Sequence, residues 1–345
     1  MNLRGVGSNT IPHSSIPRLI IPKQLFQTPN AAMDHIFDLF PDKYPHLAEE
    51  SDSVWSFELG WPRHLIEPID PFVQSQALNL YALPASDIDR YVEVQFLNGV
   101  PFVFSMFHSM ALLAASISIR MNHAAPNVII HLDAHHDLGP TMFTESNSGV
   151  FSNPLFCADY SLNSPNSIRR AIVDGSVNKG NFLTTYLLNC SGALLVHIHQ
   201  DCSPGQFGLV PSRVSANAPS IVPELLTLQF DARTNNPAVR IVETQELPVV
   251  VVTESPTRIW LDVDLDAFCN RFDGNSDRFG RPGTTLEYDR MMSRIETFIT
   301  ELGKSRWHSD IVAISVAASP GFFPSEYWPI VIPRITNNIK RLLQV

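Results

Sequence analysis

The chain has 345 residues, 44% of them apolar, with 34 acidic against 24 basic residues and a net charge of −10. That length holds one large α/β domain or two ordinary ones, and the apolar share excludes global disorder. The acidic surplus argues against a nucleic-acid binder and suits a cationic small molecule or a basic side chain.

In chain order, residues 1–30 carry four prolines and little pattern, which predicts an arm or extended segment. The start, MNLRGVGSNTIPHSSIPRLIIP, has no apolar h-region and reads as no signal peptide. Residues 31–95 mix a short helical piece, AAMDHIFDLF, with the turns GWPRH and EPIDP. From about residue 97 the text turns α/β. FLNGVPFVFSMF reads as a strand, HSMALLAASISIRMNH as a buried helix and NVIIHLD as a buried strand. NSIRRAIVDG and KGNFLTTYLLNC read as helices, GALLVHIH and RIWLDVDLDAF as strands, and LEYDRMMSRIETFITEL as an amphipathic helix. DIVAISVAASPG is a last strand, and EYWPIVIPRITNNIKRLL closes with a helix. The expected division is an N-terminal extension, 1–95, packed on an α/β domain, 96–345.

Strands alternating with helices predict an α/β fold of three layers, αβα, around a central, mainly parallel sheet. In such sheets the ligand lies at the carboxyl ends of the strands. Three strands, VIIHLD, VHIHQD and IWLDVDLD, carry their polar residues at that end. Cys157, Cys190, Cys202 and Cys269 show no paired spacing and read as reduced thiols. No run reaches membrane-spanning length, so the expectation is a cytoplasmic protein that engages neither membrane nor nucleic acid.

Asp133-x-His135-x-Asp137 leaves one strand with alternate side chains able to converge. Asp262-x-Asp264, with Asp266 two further on, continues another. Carboxylates gathered this closely repel one another unless cations sit among them. Two divalent ions make the arrangement a binuclear site, and carboxylate oxygens with one imidazole per ion suit Mn2+, with Fe2+ or Zn2+ as alternatives.

HSMAL, LDAHHD and LDVDLDAF resemble, in order and approximate spacing, the three metal-binding motifs of the arginase and ureohydrolase superfamily, which is related to the histone deacetylases. The resemblance covers about residues 97–330. It implies one ion held by His108, Asp133, Asp137 and Asp262, a second by His135, Asp133, Asp262 and Asp264, and bridging by Asp133 and Asp262. It implies hydrolysis of a guanidinium to an amine and urea, with Asp137 orienting the attacking water.

The departures matter as much. The family's shuttle histidine is missing from Ser148–Pro154, which leaves His136 and His199 as replacements. The acid that helps hold a free α-amino group is replaced in Asp201-Cys202-Ser203 by Ser203. The guanidinium-binding glutamate is missing from Ser315–Gly321, so Asp266, Asp201 and Glu145 are the acids available to a cationic substrate. HLDAHHD, KGNFL and ASPGF are similar to a divergent branch that includes the peptide arginases of ribosomal peptide (RiPP) biosynthesis. That likeness implies an arginine-containing precursor peptide as partner and ornithine as product. A peptide-bound arginine has no free α-amino group, which agrees with Ser203. The alternatives are a ureohydrolase of free arginine, agmatine or a guanidino acid, and a deacetylase-type amide hydrolase. A homo-oligomer is compatible with the family, and no motif decides it.

Overall fold

The apolar runs read from the sequence become strands, and their alternation decides which way each side chain points. The computed structural model describes residues 16–61, 70–122, 124–144, 150–190, 192–216, 219–222, 224–231, 237–249, 256–271 and 284–343. The chain begins with β1 (Arg18–Pro22), α1 (Pro29–Leu39), β2 (Tyr44–Glu50) and β3 (Val54–Gly60). The Thr28 hydroxyl caps α1 by accepting the Ala31 N–H at 3.2 Å, with Pro29 in the first turn. The three strands make an antiparallel sheet in the order β1-β3-β2. Its core of Ile21, Ile36, Phe40 and Phe57 packs with Met142 and Val222 of the following region. This sheet went unread in the sequence, because β2 is exposed from His46 to Glu50 and carries no apolar alternation.

Next come α2 (Val73–Tyr81), β4 (Val92–Leu97) and β5 (Val100–Ser105). β4 and β5 pair across Asn98-Gly99, both at positive φ, the conformation a tight hairpin requires. Then follow α3 (Leu112–Asn122), β6 (Val128–Leu132), the hairpin β7 (Val150–Asn153) and β8 (Ala158–Ser161), α4 (Pro165–Val173), α5 (Phe182–Leu188) and β9 (Ala193–Ile198). The remainder is β10 (Gly205–Ser215), β11 (Glu224–Asp231), β12 (Val239–Thr244), β13 (Ile259–Asp264), α6 (Thr285–Lys304), β14 (Ile311–Ala317) and α7 (Trp328–Leu342).

Nine strands form the central sheet, in the order β11-β10-β12-β9-β6-β13-β14-β5-β4. The six strands from β12 to β5 are parallel neighbours, and the antiparallel strands lie at the edges. The chain is therefore α/β with a mixed, mostly parallel sheet. One face buries Val128, Ile130, Leu261 and Val263 against α6 and α7. The other buries Ile129, Leu195 and Trp260 with α3, α4 and α5. Burying each such side chain is worth about 1.5–3 kcal/mol, so covering both faces fixes the strand register firmly.

That register sets up the site. On the second face the apolar residues give way, one step along each strand, to a polar row across five neighbours: Glu243, His197, His131, Asp262 and Ser315. All four cysteines are free. No described helix is long and apolar enough to cross a membrane.

Candidate metal centre

Asp133 directly follows β6, Asp264 ends β13, and Asp266 sits on the short 3-10 turn after it. His108 opens a 3-10 turn just beyond β5. These elements bring His108, Asp133, Asp137 and Asp264 together at the carboxyl edge of the sheet. His108 Nδ1 lies 2.9 Å from Asp133 Oδ2, 3.0 Å from Asp137 Oδ2 and 3.0 Å from Asp264 Oδ2. Among the described residues, His108 Nδ1, Asp133 Oδ2 and Asp137 Oδ2 are buried with no hydrogen bond. The atoms are near but not aligned as donor and acceptor. Orphaned polar atoms of this kind cost about 1–3 kcal/mol each.

A cation seated among these atoms would account for the crowding. Ligand atoms about 3.0 Å apart form the edge of an octahedron whose centre lies about 2.1 Å from each. The other nitrogen of His108 explains its orientation. Nε2 lies 3.0 Å from Asp262 Oδ2, and because that carboxylate can only accept, Nε2 keeps its proton and Nδ1, aimed at the cluster, is the nitrogen that would give up its proton to an ion. Several carboxylate oxygens of the cluster accept hydrogen bonds from the protein. Asp133 Oδ1 accepts the His135 N–H at 2.6 Å, and Asp264 accepts the Asp266 N–H at 3.1 Å and the Ser319 hydroxyl.

A second group lies beside the first. His135 Nδ1 is 3.1 Å from Asp266 Oδ2 and 3.4 Å from Asp133 Oδ1, and Asp133, His135 and Asp266 each offer a ligand atom within 4.8 Å of the others. Buried His and Asp groups, among them His108, His131, Asp133, Asp262 and Asp264, could thus hold metal ions.

The electrostatics follow the crowding. Burial and the neighbouring Asp133 charge raise Asp137 to about 7. Burial, then Asp264 and Asp133, push Asp266 well above the usual carboxylate range. Hydrogen bonds to Asp133 and then Asp266 raise His135 to about 11. Burial opposes ionisation of Asp262, yet the charges of His108 and His131 hold it at about 2. Like charges at close range, with protons retained, mark a cluster that discharges when cations enter.

Some expected positions move. Asp262 lies one row deeper than the resemblance implied. It is fully buried, at the register of His131 and Ser315, and it faces His108 Nε2 rather than Nδ1. Of the acids in Asp-Val-Asp-Leu-Asp, Asp262 faces His108 Nε2, Asp264 faces His108 Nδ1 and Asp266 faces His135 Nδ1. Asp266, expected to meet substrate, lines both cavities over the site, faces His135 and accepts the Ala134 N–H at 3.2 Å. His136 turns away, with Nε2 2.6 Å from Glu243 Oε1. His199 and Asp201 line a wide cleft of about 800 Å3, which also touches His135 and Asp266, and Ser203 is exposed and does not line that cleft. Glu145 lies outside the described residues.

Two histidines absent from the sequence reading complete the support. His131 Nδ1 is 2.8 Å from Asp262 Oδ2 and its Nε2 is 3.1 Å from the His135 carbonyl. Both partners accept, so both nitrogens carry protons and His131 is a buried cation. Burial opposes that charge, and Asp133 and Asp262 raise its pKa. His197 Nε2 lies 3.2 Å from the Asp133 carbonyl. The signal was available: His131 is two residues before Asp133, on the same strand face. Trp260 Nε1–H donates to Ser315 at 2.7 Å and Ser315 donates to Asp262 at 2.5 Å, which anchors the row from the other side.

A pocket of about 320 Å3 opens over the cluster, walled by Phe107, Leu138, Lys179 and Phe322. It meets the larger cleft at His135, Asp266 and Phe322. No protein-family model matches the chain, and no curated protein matches it.

Proposed function

We propose that the chain is a binuclear metal-dependent hydrolase of guanidinium groups, of arginase-like architecture, acting on arginine side chains in a peptide to give ornithine and urea. The observation that carries this reading is the convergence of buried, unpartnered His108 Nδ1, Asp133 Oδ2 and Asp137 Oδ2 on one point.

In this reading His108, Asp133, Asp137 and Asp264 would hold one ion, and His135 and Asp266, with Asp133 and Asp264, would hold the other. Mn2+ suits so oxygen-rich a set. Bound there, two divalent cations supply a water that ionises near neutral pH and a charge that offsets the one developing on the substrate. Asp137 would accept a hydrogen bond from the attacking water and orient it. The water oxygen adds to the sp2 carbon, the carbon–nitrogen bond to the side chain breaks, and the departing nitrogen takes a proton to leave as an amine. His199 is the imidazole on the cleft wall outside the cluster and takes the shuttle role. Asp262 acts through His108, holding its Nδ1 toward the metals.

The larger cleft supports a peptide substrate over free arginine. It runs past the cluster with Asp201 and His199 on its wall, and about 800 Å3 is far more than one amino acid occupies. The smaller pocket favours a second reading. Its walls are apolar and carry Lys179, whose Nζ lies 4.8 Å from the Phe322 ring centre, and this suits hydrolysis of an acylated amine.

The test incubates the full chain with Mn2+ and peptides bearing either arginine or acyl-lysine. The expected result is loss of one CH2N2 unit per arginine, with urea released in equal amount. Deacylation with arginine left intact transfers the assignment to the second reading, and no turnover of either peptide removes both.

A further inference from the structure

Away from the acid cluster, on the far side of the Asp133 backbone, the polar row ends in a second group of metal-binding types. His197 and Glu243 are register partners on β9 and β12, with side chains on the same sheet face. His136, in the loop after β6, folds over them, with its ring centre 4.3 Å from that of His197 and its Nε2 2.6 Å from Glu243 Oε1. One ligand atom from each of the three lies within 4.8 Å of the others.

The tautomer of His197 is the decisive detail. Its Nε2 faces the Asp133 carbonyl at 3.2 Å, and a carbonyl only accepts, so the proton is on Nε2. Nδ1 then carries a lone pair. His197 is 1% exposed, and Nδ1 has no hydrogen-bond partner among the described residues. A buried imidazole fixed through one nitrogen by a backbone carbonyl, its other nitrogen unpartnered and its ring packed on a second imidazole, is how proteins prepare a histidine for a metal.

We propose that His136, His197 and Glu243 form a third, mononuclear site for a divalent transition metal, separate from the acid cluster. Two imidazoles and one carboxylate select Zn2+, Co2+ or Fe2+ over Mg2+ or Ca2+, whereas the acid cluster is oxygen-rich. On binding, the proton shared between His136 and Glu243 leaves to solvent and both atoms turn to the ion. His136 is about 43% exposed, so solvent reaches the site. The ion is coupled to the cluster through one hydrogen bond, His197 Nε2–H to the Asp133 carbonyl.

Native mass spectrometry of the full chain, stripped of metal and titrated with Zn2+, tests this, with Co2+ absorption as an independent readout. His136→Ala and Glu243→Gln are each expected to bind one Zn2+ fewer per chain than the parent and to lose the corresponding Co2+ band, with unchanged melting. Asp264→Asn is expected to keep that ion while losing the oxygen-rich site, which separates this proposal from the hydrolase reading. Parental Zn2+ stoichiometry and affinity in both His136→Ala and Glu243→Gln would overturn it, as would the absence of any Zn2+ that survives Asp264→Asn.

Discussion

Asp262 and Asp264 are two residues apart on one strand, both buried and both near His108, yet they meet different nitrogens of that ring. Their substitutions should therefore differ. Asp264→Asn removes a charged oxygen facing Nδ1, and metal-dependent turnover is expected to vanish. Asp262→Asn leaves the residues on the Nδ1 side in place and weakens the support of the His108 ring, together with the bonds to His131 and Ser315, so the expected loss is about 10–100-fold. Steady-state rates with excess Mn2+ distinguish the two, and equal losses would refute the split. At this scale the sequence revealed the residue types and their strands. It could not say which of three alternating acids stands at the strand's end, because that depends on where pairing with β6 and β14 stops. His131 stayed hidden for another reason: attention to acids that need cations overlooked an imidazole two positions upstream that supplies one.

Among the elements, the parallel core was legible because each strand is a continuous apolar run ending in charge. The N-terminal sheet was not, since its strands draw their apolar contacts from residues distant in sequence. Where that sheet meets the core, Lys43 is fully buried, with Nζ over the Trp61 ring and unbonded among the described residues. Burial lowers it to about 7, against the attraction of Asp42, Asp174 and Asp89. An unfolded lysine holds its proton to about 10.4. Between those values the unfolded chain binds more protons, so the lysine's contribution to stability rises with pH from about 7 to about 10.4. Urea midpoints at neutral and alkaline pH should show the rise in the parent and its loss in Lys43→Met. An unchanged slope in the variant would locate the effect elsewhere.

For the whole molecule, the acid cluster ties stability to metal and to pH together. Asp137 keeps its proton to about 7 in the fold, whereas an unfolded aspartate loses it near about 3.9. The folded chain binds more protons across that window, so this group makes the metal-free protein less stable as pH rises through it. A cation must displace the same proton, so its binding strengthens over the same range. Melting curves with Mn2+ and with chelator should show a larger metal-induced shift at pH 8 than at pH 6. A shift that is equal or smaller at pH 8 would contradict the coupling.

The polar row has a kinetic corollary. Residues 243, 197, 131, 262 and 315 stand side by side but neighbours in the row are separated by dozens of residues of chain, and each separation is a loop to be closed before any two of them meet. Assembly of this kind is slow and non-local. A cation therefore finds no pocket in the collapsing chain. A cation bound there would arrive last and act as a latch on the finished sheet, retarding its opening without hastening its formation.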